Sequence, residues 1–196
     1  IASPVGSYFK GGPAPVSIWV SENYTRAAVG GTGAVKCGGN YAASLRAQAE
    51  AIEHGCDQVV FLDAVERRYV EELGGMNVFF AFDDGSLSTP PLGTILPGIT
   101  RDSIITLAKD AGMPVREETY TIQQWRTDAA SGRLKEAFAC GTAAVISPIG
   151  KVRSASGDFL IGGGAAGPVA MVMRNKLVDI QYGRAPDPHN WIKQVF

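Results

Sequence analysis

The sequence predicts a mixed α/β domain rather than a doubly wound one. Short, nearly continuous apolar runs such as DQVVFLD (57–63) and MNVFFAF (76–82) read as strands buried on both faces. Segments with helical spacing lie between them, and hairpin signals lie between others. That irregular order argues against the strict strand–helix alternation of a doubly wound sheet. With 196 residues and 45% hydrophobic composition, the chain suits one domain with a sizeable core.

The elements follow in order. VSIWV (16–20) is β-rich and reads as a strand. After a glycine-rich segment, residues 42–54 read as a helix with Leu45, Ala49 and Ile52 at helical spacing, stopped by Gly55. A strand over 57–63 is followed by a charged turn over 70–75 and a second strand over 76–82. Asp83-Asp84-Gly85 is a hairpin signal. LPGITR (96–101) opens a helix over about 100–111, then 115–121 is a strand and 122–130 a helix. AFACGTAAVISP (137–148) reads as strand, small-residue turn, strand. Residues 162–164 form a loop, and 168–182 form a helix with Val169, Val172, Met173, Leu177 and Ile180 on one face.

The first residues, IASPVGSYF, read as a strand tail entering a Gly/Pro linker, so the chain is expected to begin inside a longer protein. The net charge of −1, without a basic stripe, makes nucleic acid an unsuitable partner. No apolar run reaches the roughly eighteen residues of a membrane span. Cys37, Cys56 and Cys140 are odd in number and lack CxxC spacing. That argues against a disulfide framework or a zinc site and fits a reducing cytoplasm. His54 and His189 are the only histidines, which leaves little for chemistry that needs a histidine base or metal ligands.

The stretch GGTGAVKCGGNY (30–41) sets Lys36 among five glycines. Bare backbone allows close approach of something flat, and lysine becomes a nucleophile toward aldehydes when its pKa is depressed. Tyr41 is placed to hydrogen-bond a phenolic oxygen. The plainer reading is a surface lysine after a glycine loop. Neither a dinucleotide fingerprint nor a GxxxxGK[ST] loop is present. Leu96-Pro97-Gly98-Ile99-Thr100 places backbone N–H groups and a hydroxyl at a helix start, where phosphate binds; Thr100 as a simple N-cap is the alternative. Cys140-Gly141-Thr142-Ala143-Ala144 is a second such turn, or else a close-packed strand crossing. Glu71 and Glu72 point opposite ways if extended, one toward a site and one toward solvent. A buried glutamate needs a cationic partner, and a protonated pyridine nitrogen is one; a solvated loop is the simpler account. Lysine, tyrosine, carboxylate and two phosphate-shaped turns are together the inventory of a pyridoxal phosphate site.

These segments, in this order, resemble the large, C-terminal domain of the branched-chain amino acid aminotransferases, which are fold-type IV pyridoxal phosphate enzymes. The similarity runs through Arg26-Ala27, Gly30-Gly-Thr-Gly33, Lys36-x-Gly-Gly-Asn-Tyr41, Glu72-Leu-Gly-Gly-Met-Asn-Val-Phe79, Leu96-Pro-Gly-Ile-Thr-Arg101, Cys140-Gly-Thr-Ala143 and Asp179-Ile-Gln-Tyr-Gly183. Actinobacterial members look most similar. The resemblance implies a pseudo-barrel of mixed strands with flanking helices. Residues 1–9 would be the tail of a small N-terminal domain, 10–16 an interdomain linker and 17–196 the cofactor-binding domain. It implies transamination of leucine, isoleucine and valine with 2-oxoglutarate in a cytoplasmic homodimer. Lys36 would be the covalent anchor and proton carrier, Tyr41 would neighbour the phenolic oxygen and the substrate, and Glu72 would meet the pyridine nitrogen. Leu96 would pack on the ring, and Ile99, Thr100 and Thr142 would hold the phosphate. Gly75 and Ala143 would approach the substrate carboxylate, and Arg26 would have a supporting role at the cofactor. Ala144 and Ser147 stand where some animal members carry a redox CxxC, so thiol regulation of that kind is not expected. D-amino acid aminotransferases and aminodeoxychorismate lyases share the lysine, the glutamate and the Leu-Pro-Gly turn. A non-catalytic part of a longer protein is the reading from another class.

Overall fold

In the computed structural model, which describes residues 14–195, the elements run β1 (Val16–Ser21), α1 (Gly38–Glu53), β2 (Gln58–Leu62), β3 (Val70–Leu73), β4 (Asn77–Phe82), β5 (Leu87–Thr89), α2 (Ile99–Asp110), β6 (Val115–Glu117), α3 (Ile122–Ser131), β7 (Leu134–Gly141), β8 (Val145–Arg153), β9 (Phe159–Leu160) and α4 (Pro168–Gln181). The expected small-domain tail and most of the linker lie outside the described residues. The strands form one sheet in the order β3-β2-β1-β8-β7-β4-β5-β6, with β9 added to β8. β1 runs parallel to β2 and β8, and β5 parallel to β6, while the other pairings are antiparallel. The sheet is therefore mixed, as the irregular order of elements predicted.

One short connection makes this sheet curl. β3 stands five places from β4 in the order, yet only residues 74–76 separate them, and Leu73 and Met76 bridge across the turn. Five strand spacings in a flat sheet would span roughly 24 Å, whereas four residue steps reach roughly 14 Å. The sheet must wrap to bring β3 and β4 together, and Gly74 at φ +53° supplies the left-handed turn residue.

Wrapping gives the sheet an inner and an outer face. Val78, Phe80 and Phe82 of β4 join Ile18, Val20, Val60 and Leu62 in the inner cluster. Phe79 and Ala81 lie on the other side, in a cluster with α2 and α4. Burial on both faces explains why MNVFFAF shows no alternation. The Asp83-Asp84-Gly85 turn forms as expected, with Gly85 at φ +78°.

Several expectations change. α1 begins at Gly38, four residues before the predicted start, and its apolar spacing marks the wrong face: Leu45 and Ile52 are 69% and 65% exposed. The helix instead packs through Ala47 and Ala51 against Trp19, Val59 and Phe61, because only small side chains permit so close an approach to the sheet. The charged turn predicted over 70–75 contains strand β3, in which Glu72 pairs in register with Phe61. On α4, Ala170, Met173, Leu177 and Ile180 are buried while Val172 is exposed. β6 stops at Glu117, and Thr121 instead caps α3 through a reciprocal Thr121–Gln124 capping box. β7 and β8 extend well beyond 137–148, and the two-residue β9 is too short to leave a pattern in the sequence.

The two faces of α1 differ in their tolerance of change. Ile52→Ser is expected to move the stability of the domain by no more than about 0.5 kcal/mol in denaturant unfolding. Ala51→Leu, which overpacks the helix–sheet contact, is expected to cost about 1–3 kcal/mol. Equal effects of the two substitutions would contradict this packing.

Candidate active site

Lys36 is presented by a loop whose glycines serve different ends. A Cβ on Gly33 would lie 1.9 Å from Thr94 O and 2.6 Å from Ala27 Cβ, so only glycine fits against the segment that precedes α2. Asn40, 5% exposed in the first turn of α1, clamps the loop from the other side. Its Nδ2 donates to Thr32 O at 2.8 Å and Val35 O at 2.9 Å, and its Oδ1 accepts from Thr32 Oγ1 at 2.7 Å. Lys36 Nζ then projects beside Tyr41 and donates to its hydroxyl at 2.7 Å. Gly75 leaves room for that ring, since a Cβ there would sit 3.3 Å from Tyr41 Cε1.

Behind this pair lies a buried ion pair. Glu72 on β3 is 1% exposed, and its Oε2 meets Arg26 Nε at 2.8 Å. Oε2 also accepts from Leu96 N–H at 3.4 Å, while Oε1 has no hydrogen bond among the described residues. Arg26 is itself buried, with Nη1 and Nη2 each donating to Gly33 O at 3.3 Å and Nη1 to Thr94 O at 3.1 Å. Burial pushes the Glu72 carboxyl up to about 7, although Arg26, the Leu96 N–H and Lys36 all pull it down. One arginine does not fully offset the loss of water, so a second cation on the free side would favour the carboxylate. Glu71, expected in solvent, is half-buried and accepts from the Thr94 hydroxyl; burial raises its carboxyl as well.

The opposite end of the site is built from amides. α2 starts at Gly98 without a side-chain cap, so its first N–H groups are left to whatever approaches the helix end. Thr100 is buried at that end, and the turn between β7 and β8 brings Thr142 and Ala143 across from it. Val145 closes this turn at φ +58°, a strained conformation for a β-branched residue.

Eight of the ten expected site residues line a single cavity of about 570 Å³: Lys36, Tyr41, Gly75, Leu96, Ile99, Thr100, Thr142 and Ala143. Glu72 and Arg26 do not line it. Glu72 reaches it from behind through the Leu96 amide, and Arg26 reaches it only through Glu72. Pro97, Gly98, Gly141 and Ala144 also line the cavity, as do Met76, Asn77 and Cys140, to which the sequence assigns no role. Burial raises the Cys140 thiol, which therefore stays neutral and acts as an apolar wall. Asn40 and Thr94, which hold the Lys36 loop and the pre-α2 segment, carry no signal of that role in the sequence. Thr94 bonds Arg26 and Glu71, which are distant in the chain, and Asn40 bonds backbone whose path only the folded loop defines. The residues present suit a pyridoxal phosphate: an anion-seeking helix end, an amine beside a phenol, and a buried carboxylate with an unused oxygen.

The family description Amino-transferase class IV matches residues 13–152. The branched-chain-amino-acid aminotransferase of Mycobacterium tuberculosis is 58% identical over the whole chain, which covers 54% of that protein. The branched-chain-amino-acid transaminase 1 of Bacillus subtilis is 45% identical, again over the whole chain and 55% of its own length. The chain thus spans about half the length of the curated relatives it matches. Among solved structures, the Escherichia coli branched-chain amino acid aminotransferase aligns over 99% of this chain and 60% of its own, at 35% identity and TM-score 0.83. The T.th. branched-chain amino acid aminotransferase, solved with pyridoxamine 5'-phosphate, aligns over 98% and 59%, at 31% identity and TM-score 0.80. A curled mixed sheet, a lysine loop facing a bare helix end, and a family match across most of the described residues agree: the chain belongs to the class IV aminotransferases.

Proposed function

We propose that this chain is the cofactor-binding part of a pyridoxal 5'-phosphate-dependent branched-chain amino acid aminotransferase, acting on leucine, isoleucine and valine with 2-oxoglutarate. The observation that carries the reading is the convergence of Lys36–Tyr41 and the α2 amides on one cavity, with the buried Glu72 directly behind its Leu96 wall. The names of the relatives, and the pyridoxamine 5'-phosphate of the T.th. structure, supply the chemistry. When bound, the cofactor supplies an aldehyde that takes up the amino group and a ring that draws electrons from the substrate carbon.

The chain's own groups would do the rest. Lys36 anchors the aldehyde and then carries the proton at the substrate Cα, as general base and acid. Tyr41 accepts from Lys36 Nζ at 2.7 Å and would thereby orient the amine for the cofactor aldehyde. Glu72 would keep the ring nitrogen protonated, and Arg26 would serve it by favouring the Glu72 carboxylate and holding it in place. Leu96 would pack on the ring face. The Ile99 and Thr100 amides, with the Thr100 and Thr142 hydroxyls, hold the phosphate at the positive end of α2. The Gly75 and Ala143 backbones receive the substrate carboxylate. Homodimer assembly, a preceding small domain that completes the phosphate and side-chain pockets, and a cytoplasmic location belong to the same reading.

In the intact protein, Lys36→Ala is expected to remove both the cofactor's bound absorbance and all measurable transamination; retained turnover would refute the assignment. L-leucine should be consumed and D-alanine not. The reverse result would point to a D-amino acid aminotransferase, and activity on neither would favour a lyase or a non-catalytic part. Intact mass together with cofactor absorbance of the purified protein separates the last two.

Glu72 also predicts a pH dependence. Its carboxyl is raised in the folded protein from 4.5 to about 7, so between those values the native state holds a proton that the unfolded chain has lost. Folding stability of the cofactor-free protein should therefore fall as pH rises from about 4.5 to about 7. This contribution should vanish in Glu72→Gln. Denaturant midpoints across that range check it, and an unchanged slope in the variant would exclude Glu72 as its source.

A further inference from the structure

Asn77, the first residue of β4, is 4% exposed, and the functional reading gives it nothing to do. Its Nδ2 donates to Leu96 O at 2.9 Å. Its side chain also lies directly over Gly98, where an added Cβ would fall 2.2 Å from Asn77 Oδ1 and 3.4 Å from Cγ. Gly98 has φ −68° and ψ 133°, an extended conformation open to any residue. The constraint at this helix cap is space and not backbone freedom: a Cβ would displace the Asn77 amide from its bond to Leu96 O. The space that Gly98 leaves is taken by the Asn77 amide.

This contact sits between the two polar ends of the cavity. The backbone of Leu96 is held on both sides of its Cα, the N–H donating to Glu72 Oε2 at 3.4 Å and the carbonyl accepting from Asn77 Nδ2. Two residues on, Gly98 opens α2 and sets the direction of its first amides. Asn77 is fixed in turn by the sheet, where it pairs in register with Cys140 of β7.

We propose that Asn77 is a positioning residue, which pins the Leu96-Pro97-Gly98 turn to β4 and thereby aims the α2 amides at the phosphate of the cofactor. The proposal rests on the reading of this cavity as a pyridoxal 5'-phosphate site. Asn77 and Gly98 act jointly, since one side chain and one absent side chain fix the distance between Glu72 and the phosphate end. Without the Asn77 donor the Leu96 carbonyl loses its partner and the turn is free to shift, so the loss falls on the phosphate end and spares Lys36.

The test compares two ligands on the apo form of the intact protein, pyridoxal 5'-phosphate and pyridoxal, which lacks the phosphate. Asn77→Ala is expected to weaken the first by about ten- to hundredfold and the second much less, since only the first presents a phosphate to the α2 amides. Asn77→Asp keeps the shape but offers Leu96 O no donor, and is expected to lose at least as much. Gly98→Ala alone should be at least as damaging. Combined with Asn77→Ala, which removes Oδ1, it should bind the phosphorylated cofactor about as well as Asn77→Ala alone, a strongly non-additive cycle. Binding of the phosphorylated cofactor at the parent level by Asn77→Ala and Asn77→Asp, or equal loss of both ligands, overturns the proposal. A parent protein that binds neither ligand overturns the cofactor reading, and this inference with it.

Discussion

The Arg26 guanidinium, buried among backbone carbonyls, is the interaction on which the site depends. It reaches Gly33 O in the lysine loop, Thr94 O in the segment before α2, and Glu72 on β3, so it joins three parts of the chain that share no local connection. A charge taken out of water must be paired and hydrogen-bonded, and removing one partner of such a pair costs on the order of 3–5 kcal/mol. Arg26 cannot let go of one segment without leaving part of its own hydrogen-bonding capacity unmet. The three segments are therefore held in register by a single side chain, and the lysine loop inherits its position relative to Glu72.

The curl of the sheet makes that arrangement possible. The turn over residues 74–76 carries the chain from β3 directly to β4, and β7 runs beside β4 to end in the turn that bears Thr142. Glu72 and Asn77 thus stand on either side of one short turn, each reaching toward Leu96. The cavity is lined largely by turns and helix starts, while the strands behind them are rigid and buried on both faces. Such a division suits chemistry, because exposed amides and hydroxyls need freedom from the ladder but must be carried by elements that do not move.

The sequence showed the parts of this design that depend on local pattern. Apolar runs without alternation marked β2 and β4, Asp83-Asp84-Gly85 marked its hairpin, and the Lys36 and Leu96-Pro97-Gly98 segments marked two sides of the cavity. It misled where a long-range contact overrides local character. β3 reads as a solvated turn because Glu71 and Glu72 are adjacent charges, and only Arg26, distant in sequence, makes burial of Glu72 tolerable. α1 reads as packing through Leu45 and Ile52 because they are large and apolar, but closeness to the sheet selects Ala47 and Ala51. Arg26 itself looked like a cofactor contact, and its place behind Glu72 has no signature in the residues beside it. Asn77 was visible only as a letter in a motif, since its partners are a carbonyl and an empty Cβ position.

The glycines show the same distinction in sharper form. Those at 30 and 74 have positive φ and are demanded by the backbone, whereas those at 33 and 98 sit where a Cβ would strike Thr94 O or Asn77 Oδ1. The second kind brings two segments closer than side chains allow. One brings the lysine loop onto the segment before α2, and the other brings the start of α2 onto β4. Around the cavity stand the uncapped start of α2 and a primary amine beside a phenol, with the buried Glu72–Arg26 pair behind the Leu96 amide. A bare helix start favours an anion, and a carboxylate buried with one oxygen unused favours a cationic partner, so the two features differ in the charge they suit. The selectivity of the site is thus written into backbone spacing as much as into the side chains that face the ligand.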